Sequence, residues 1–384
     1  MARRSWKVFA LVAATFWNAA CGVAGLAGVQ NSHPSPPPIT RIALAVNVDD
    51  KTGYHLPLSI AGTFVRGFLF DTGSGGLWVY ANAIAHPKNS IRDLHIQTSN
   101  KYGSGLYYKG DAIETTVDFG NNLPVVTVPL VRVTDARCLT DSCEKKYGTG
   151  NVIDRLEKER GLWGTFGADL EPKPIAHGKY RTDIYNVLFA LGKEWTRFAI
   201  VPDEIDAAPS LNDFTTIAMT SGPPTHAALP NGAKSWDRDV PVCFRIGDAA
   251  LTYAQCLPTV FDTGASGVSF RTTDATKLPW QQTKYCGRVL KAETPFATLT
   301  KGGAKITAFA AGVTQNWNEV KLETPSPSQS PQVNTGLTFY NRNELAFDAV
   351  RGLVGLQQLD PPQHKFESEC DATPSLTPFA PLRS

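Results

Sequence analysis

The sequence predicts an all-β protein folded as two similar halves. Three observations carry that expectation: a composition poor in charge and rich in turn-formers, short apolar runs punctuated by Gly, Pro, Asn and Asp, and one short segment that occurs twice. Charged residues make up 19% of the 384-residue chain and hydrophobic residues 42%, with 32 glycines and 27 prolines. Few charges and frequent turns favour a β-rich globular chain over a helical or disordered one. The formal net charge of +2 sets up no strong field, and no basic stripe of the kind that binds nucleic acid is present.

The first 38 residues read differently from the rest. Arg3, Arg4 and Lys7 precede an apolar run over residues 8–17, followed by small residues around Ala19-Ala20-Cys21, which is the pattern of a secretory signal within residues 1–28. Residues 29–38, ending in Pro/Ser-rich sequence, read as a stiff extended tether. No later stretch reaches the ~18 apolar residues of a membrane span. Two readings of the signal's end stay open: lipidation at Cys21, as in a bacterial lipoprotein, or plain cleavage between Ala20 and Gly28. Asn18 departs from the aliphatic residue that the lipoprotein pattern prefers. An exported protein, with a membrane tether if Cys21 is lipidated, is expected.

Beyond the tether, residues 42–48, 64–70, 112–119 and 125–133 read as strands, and residues 152–160 as a short helix. Strands are expected to resume at 187–191 and 195–201. A loose stretch over 203–239 separates a first lobe (39–203) from a second (204–384). In the second, residues 240–246, 257–261, 268–270, 315–322, 337–339, 344–347 and 352–356 are strand-like, and 325–331 is a Pro/Ser loop.

Seven cysteines are present. With Cys21 in the signal, the remaining six suit an oxidising compartment. Proximity pairs Cys138 with Cys143 and Cys243 with Cys256, leaving Cys286 and Cys370 to each other. No C-x-x-C or H-E-x-x-H spacing occurs, so neither a structural zinc nor another metal is expected.

The segment that occurs twice is where chemistry enters. Phe70-Asp71-Thr72-Gly73-Ser74-Gly75-Gly76 returns 191 residues later as Phe261-Asp262-Thr263-Gly264-Ala265-Ser266-Gly267. An apolar strand ending in Asp-Thr-Gly makes a tight turn whose backbone N–H groups can orient the carboxylate. Two such turns meeting on a pseudo-two-fold axis would put two carboxyl groups in contact. They could not both ionise, so the pair would hold an acid and a base side by side. A water between them could then be activated to attack a peptide carbonyl.

With these motifs the chain resembles the pepsin-like aspartic peptidases, of the bacterial type. The stretch from Phe68 to Val79 is similar to the family's first motif, with Trp78 in the place of its tryptophan. Tyr102-Gly103-Ser104-Gly105 resembles the tip of the flap that closes over substrate. Leu162-Trp163-Gly164 and Asn334-Thr335-Gly336 resemble the elements that thread behind the two Asp turns, and residues 345–356 the closing strand pair. The resemblance implies a bilobal pepsin-like acid protease fold: two pseudo-symmetric β-barrel-like lobes with a cleft between them. It implies an aspartic endopeptidase, with Asp71 and Asp262 as catalytic dyad, Thr72 and Thr263 as a cross-lobe grip, and Gly73 and Gly264 orienting the carboxylates. Ser74 would bond the outer oxygen of Asp71. Tyr102 and Gly103 would cover a polypeptide substrate, with the Tyr102 hydroxyl on the Trp78 indole. No cofactor, metal or nucleic acid is implied, and a monomer is expected. No long basic segment precedes Ile39 where eukaryotic zymogens of the family carry a pro-segment.

Two departures set expectations of their own. Ala265 stands where most of the family carries Ser or Thr, so Asp262 is expected to lack an outer hydrogen bond and the dyad to work nearer neutral pH. Asn334-Thr335-Gly336 lacks the aliphatic pair the family prefers. These departures keep a second reading open, a weak or inactive binding protein of the cell envelope on the same fold. The absence of G-x-S-x-G disfavours a serine hydrolase, and residues 73–76 lack the Lys and Ser/Thr of a phosphate loop, which argues against nucleotide binding.

Overall fold

The computed structural model describes residues 40–47, 53–84, 91–201, 203–247, 253–274, 278–283, 287–312, 319–323, 325 and 329–360. The signal and tether, Cys21, and the proposed Cys286–Cys370 pair lie outside the described residues. The fold is all-β and bilobal, the pepsin-like architecture. An eight-stranded sheet forms the first lobe, a nine-stranded sheet the second, and a six-stranded sheet connects them.

Each lobe repeats the same local plan. The strand Thr63–Asp71 delivers the first Asp turn, and Gly75–Tyr80 leaves it. Gly164–Ala168 threads between them, parallel to the first and antiparallel to the second. In the second lobe Tyr253–Val260 leads to the turn, Val268–Arg271 leaves it, and Gln332–Asn334 threads between them in the same parallel and antiparallel senses. The departing strands also match: Trp78 pairs in parallel with Val131, and Ser269 with Lys321. Apolar residues before each turn, Phe70 and Phe261 among them, are buried, so burial fixes which face each Asp leaves.

The connecting sheet takes strands from both ends of the chain: Arg41–Ala43, Arg197–Val201, Glu204–Ala207, Thr215–Ala218, Asn343–Asp348 and Leu353–Gln358. The last two are the expected closing pair, in register from Asn343 opposite Gln358 to Asp348 opposite Leu353. The stretch 203–239 is less loose than its Pro and Gly content suggests, since it contributes two of these strands.

Two apolar runs are helical instead of extended. Leu188–Leu191 forms a single helical turn. Asn186 sets it, accepting from Leu188 N at 3.1 Å and donating to Ala168 O at 2.9 Å. Residues 337–339 fall in the helix Gly336–Tyr340, launched by Gly336 at φ +54°. Short apolar runs do not distinguish helix from strand by periodicity. Trp195 lies in the 3-10 turn Lys193–Thr196, and the following strand begins at Arg197. The expected helix over 152–160 forms as Ile153–Arg160. Disulfides Cys138–Cys143 and Cys243–Cys256 both form.

Candidate active site

The two Asp-Thr-Gly turns meet face to face at the lobe junction. Thr263 N donates to Thr72 Oγ1 at 3.0 Å, and Thr72 N to Thr263 Oγ1 at 3.1 Å. Each hydroxyl then donates into the opposite lobe: Thr72 Oγ1 to Phe261 O at 2.7 Å and Thr263 Oγ1 to Phe70 O at 2.5 Å. Both threonines are buried, where hydrogen bonds between well-matched groups hold geometry firmly. Tyr340 adds a contact with no counterpart in the sequence reading. Its hydroxyl lies 2.7 Å from Thr72 Oγ1, and donates there because the Thr72 proton is already directed at Phe261 O.

This grip brings the carboxyl groups together. Gly73 N donates to Asp71 Oδ1 at 2.8 Å, and Gly264 N to Asp262 Oδ1 at 2.7 Å. The glycines also make room across the junction. A Cβ on Gly73 would sit 2.5 Å from Asp262 Cγ, and one on Gly264 2.8 Å from Asp71 Cγ. Asp71 is buried and Asp262 half-buried. Burial pushes the Asp71 pKa well up, and the adjacent Asp262 carboxylate pushes it further, against the Ser74 and Gly73 hydrogen bonds. Titration in so close a pair belongs to the pair, and burial favours the protonated form of Asp71.

The outer oxygens show how the lobes differ. Ser74 Oγ donates to Asp71 Oδ2 at 2.8 Å. Ala265 has no hydroxyl for Asp262, but Asn334 Nδ2 donates to Asp262 Oδ2 from the threading strand. Asn334 Oδ1 in turn accepts from Gly336 N at 2.9 Å, which fixes the amide's orientation. The expected loss of an outer hydrogen bond at Asp262 is therefore corrected, and the argument for a neutral-shifted optimum falls with it. The residue that made the second threading element look atypical is the one that supplies the bond.

The first threading element is also corrected, by three residues. Asp71 pairs with Gly167 and Phe70 with Phe166, so the element behind the first turn is Thr165-Phe166-Gly167 and not Leu162-Trp163-Gly164. A Cβ on Gly167 would meet Ser74 O and Gly76 O at 2.5 Å. Gly336 holds the matching place, its Cβ position 2.4 Å from Gly267 O.

The hairpin of Ile91–Lys101 and Leu106–Asp118 carries Tyr102 and Gly103 at its turn, and both line a cavity with Asp71 and Asp262. The Tyr102 ring packs edge-on against Tyr108 at 4.8 Å. Its hydroxyl is buried beside Asn100 and Thr165 without a hydrogen bond of ordinary geometry. The expected bond to Trp78 is not made, because the Trp78 indole donates to Gly75 O at 3.2 Å. Trp78 is fully buried in the cluster beneath the hairpin. Lys173 Nζ lies over its ring at 4.7 Å and donates to Ser99 O at 2.6 Å and Asn100 Oδ1 at 3.1 Å. Burial lowers the Lys173 pKa to about 8.

The cavity measures about 480 Å³. Arg238 and Glu171, which sequence reasoning did not single out, also face it. Arg238 Nη1 donates to Gly73 O at 3.0 Å. Behind Ser74 lies a third carboxyl group, Asp169, whose N–H donates to Ser74 O at 3.1 Å. Burial lifts its pKa to about 8, against the opposing pull of Arg238.

Among solved structures the chain is similar to the aspartic proteinase from Irpex lacteus. The TM-score is 0.56 at 14% sequence identity, covering 83% of this chain and 97% of that one. At that identity the likeness is one of fold. No protein-family profile matches the chain, and no curated protein does.

Proposed function

We propose that the chain is an aspartic endopeptidase, hydrolysing peptide bonds of polypeptides with a water activated between Asp71 and Asp262. The observation that carries this reading is the reciprocal approach of the two turns, each carboxyl group seated against the opposite lobe's glycine. A binding protein has no chemical need for that arrangement, whereas two carboxyl groups sharing one proton supply an acid and a base in one place.

In the proposed reaction the water lies between the two carboxyl groups. Asp262, steadied by Gly264 N–H and the Asn334 amide, takes a proton from the water as its oxygen bonds to the peptide carbonyl carbon. Asp71 gives its proton to the carbonyl oxygen, producing a gem-diol. Collapse of the diol returns a proton to Asp71, the C–N bond breaks, and the amine leaves with the proton held by Asp262. Thr72 and Thr263 keep the carboxyl groups in reach, and Tyr102 and Gly103 form the cover. The fold of a peptidase neighbour and the disulfides Cys138–Cys143 and Cys243–Cys256, suited to an oxidising compartment, support an exported enzyme.

Cleavage of an unfolded protein between about pH 3 and 7, blocked by a transition-state peptide inhibitor, tests the reading. The outcome that sinks it is a wild-type rate no different from that of Asp71→Ala. The inactive-binder alternative loses both features that suggested it, since Asn334 fills the place of the missing hydroxyl and its Gly336 takes the threading position.

A further inference from the structure

Arg238 stands in the cleft on a firmly held turn. Trp236 N donates to Leu170 O at 3.1 Å and its indole to Ala349 O at 2.7 Å. Asp237 N donates to Thr220 O, and Asp239 N closes the turn on Asp237 Oδ1, both at 2.9 Å. Asp239 is anchored by Gln332 at 2.7 Å. The backbone N–H of Arg238 points at Glu171 Oε2 at 3.5 Å. Neither flank of the residue is free to swing away.

The side chain crosses the first Asp turn, with Nη1 on Gly73 O. A guanidinium carries five N–H donors in a fixed fork. Among the described residues Arg238 makes this one side-chain hydrogen bond and no ion pair. Asp169, Glu171, Asp239 and Asp262 are close enough to raise its pKa, but none lies at contact distance. Arg238 is exposed to solvent and lines the cavity that holds both dyad carboxyl groups. The wall holds two further cations: Lys173, engaged by Ser99 and Asn100, and Lys101, exposed at the end of the hairpin strand Ile91–Lys101.

Two of the carboxyl groups near Arg238 have pKa values raised by burial. Asp169 keeps its proton up to about pH 8, and burial raises Glu171 as well. A guanidinium with donors to spare beside a peptide-cleaving dyad matches one chemistry best, a carboxylate bound by two parallel hydrogen bonds.

We infer that Arg238 is a specificity-determining residue that receives a substrate carboxylate next to the scissile bond. This rests on the peptidase reading above. The carboxylate has two sources, an Asp or Glu side chain or the C-terminus of a short peptide, and both present the same group to the fork.

Two matched peptide sets distinguish the sources. One compares Glu with Gln at each position flanking the cleaved bond, and the other a free C-terminus with its amide. Wild type is expected to favour the carboxylate member of one set by about tenfold to a hundredfold in kcat/KM, the range for a hydrogen-bonded charge. In Arg238→Gln that ratio falls to near one. In Arg238→Lys, which keeps the charge and loses the fork, it is intermediate. The set that responds names the source. A wild type indifferent to both sets, or an Arg238→Gln variant that keeps the preference, overturns the inference. If no peptide is cleaved the peptidase reading fails by itself, and calorimetric binding of the same peptides to wild type and Arg238→Gln decides. Carboxylate-dependent binding lost in the variant upholds the inference; equal or absent binding overturns it.

Discussion

The two Asp turns share a backbone plan and differ in how each holds its carboxyl group. Asp71 is buried and receives its outer hydrogen bond from Ser74, three residues along the same turn. Asp262 is half-buried and receives its bond from Asn334, which is 72 residues away in sequence. Behind the first turn, the N–H bonded to Ser74 O belongs to Asp169; behind the second, the N–H bonded to Ala265 O belongs to Leu337. One lobe is thus held locally and backed by a carboxyl group, the other is held at long range and backed by an apolar side chain. The difference shows that a pseudo-symmetric site can keep a donor at each outer oxygen while changing both the donor group and the element that supplies it.

The largest expected effect tests what the lobes have in common. Asp71→Asn and Asp262→Asn should each reduce turnover by at least about a thousandfold, within the range for general acid–base groups. Their stabilities should then separate. The Asp71 pKa is raised, so the fold favours its protonated form; the associated stability is present in acid and is lost as pH rises. Asp71→Asn should therefore raise the melting temperature more at neutral pH than at acid pH. Asp262 is half-buried, so Asp262→Asn relieves less burial of a polar group and should show the smaller gain. Equal gains in a thermal melt would mean that the two environments do not differ in the way the burial indicates.

Next in size is Gly73→Ala against Gly264→Ala. The added methyl would meet the opposite carboxyl group at 2.5 Å in the first and 2.8 Å in the second. Both should lose activity, by about a hundredfold or more, because displacing a reacting group by about 1 Å costs that much. The loss should be greater at Gly73, where the contact with the opposite carboxyl group is the closer of the two.

The third effect tests the asymmetry itself. Asn334→Ala removes the outer donor of Asp262 and should lower kcat/KM by about tenfold to a hundredfold, as for loss of a hydrogen bond to a charged group. Adding Ala265→Ser should restore part of the rate by returning the donor to the place it holds in the first lobe. Ser74→Ala should cost a similar factor at Asp71. A rate in Asn334→Ala equal to wild type would leave the two lobes with unequal hydrogen bonding.

These residues also mark where the sequence stops being informative. The two Asp turns, the disulfides Cys138–Cys143 and Cys243–Cys256 and the closing strand pair are legible because each is a local pattern or a repeat. The first threading element is misplaced by three residues because Leu162-Trp163-Gly164 looks more apolar than Thr165-Phe166-Gly167. What selects the latter is backbone crowding against Ser74 and Gly76, which local sequence does not display. Asn334 reads as a flaw for the same reason: its value depends on Ala265 lying across a strand pair. The strand Ile91–Lys101 escapes notice because its residues are mostly exposed or half-exposed and lack apolar alternation. Arg238 carries no local signal at all, since its turn is held at the cleft by residues elsewhere in the sequence, Leu170, Ala349 and Gln332 among them.

The smallest effect comes from the carboxyl group behind the first turn, which the second lobe lacks. The pKa of Asp169 is raised from 3.8 to about 8, chiefly by burial. In that interval the folded chain holds a proton there that the unfolded chain has released. Stability from this group is full below about pH 4 and declines until about pH 8. Asp169→Asn keeps the shape without the titration. It should leave the melting temperature at acid pH nearly unchanged and raise it near neutrality by about 3 °C or more, making the pH profile flatter though not flat, because Asp71 contributes in the same direction. Leu337 offers the control, since it occupies the matching hydrogen-bonded place without a charge: Leu337→Met should shift the profile as a whole and leave its slope alone. A profile whose slope survives Asp169→Asn would assign the pH dependence of stability to other raised groups, Asp71 and Glu171 among them, and reduce the difference between the lobes to the outer hydrogen bond of each Asp.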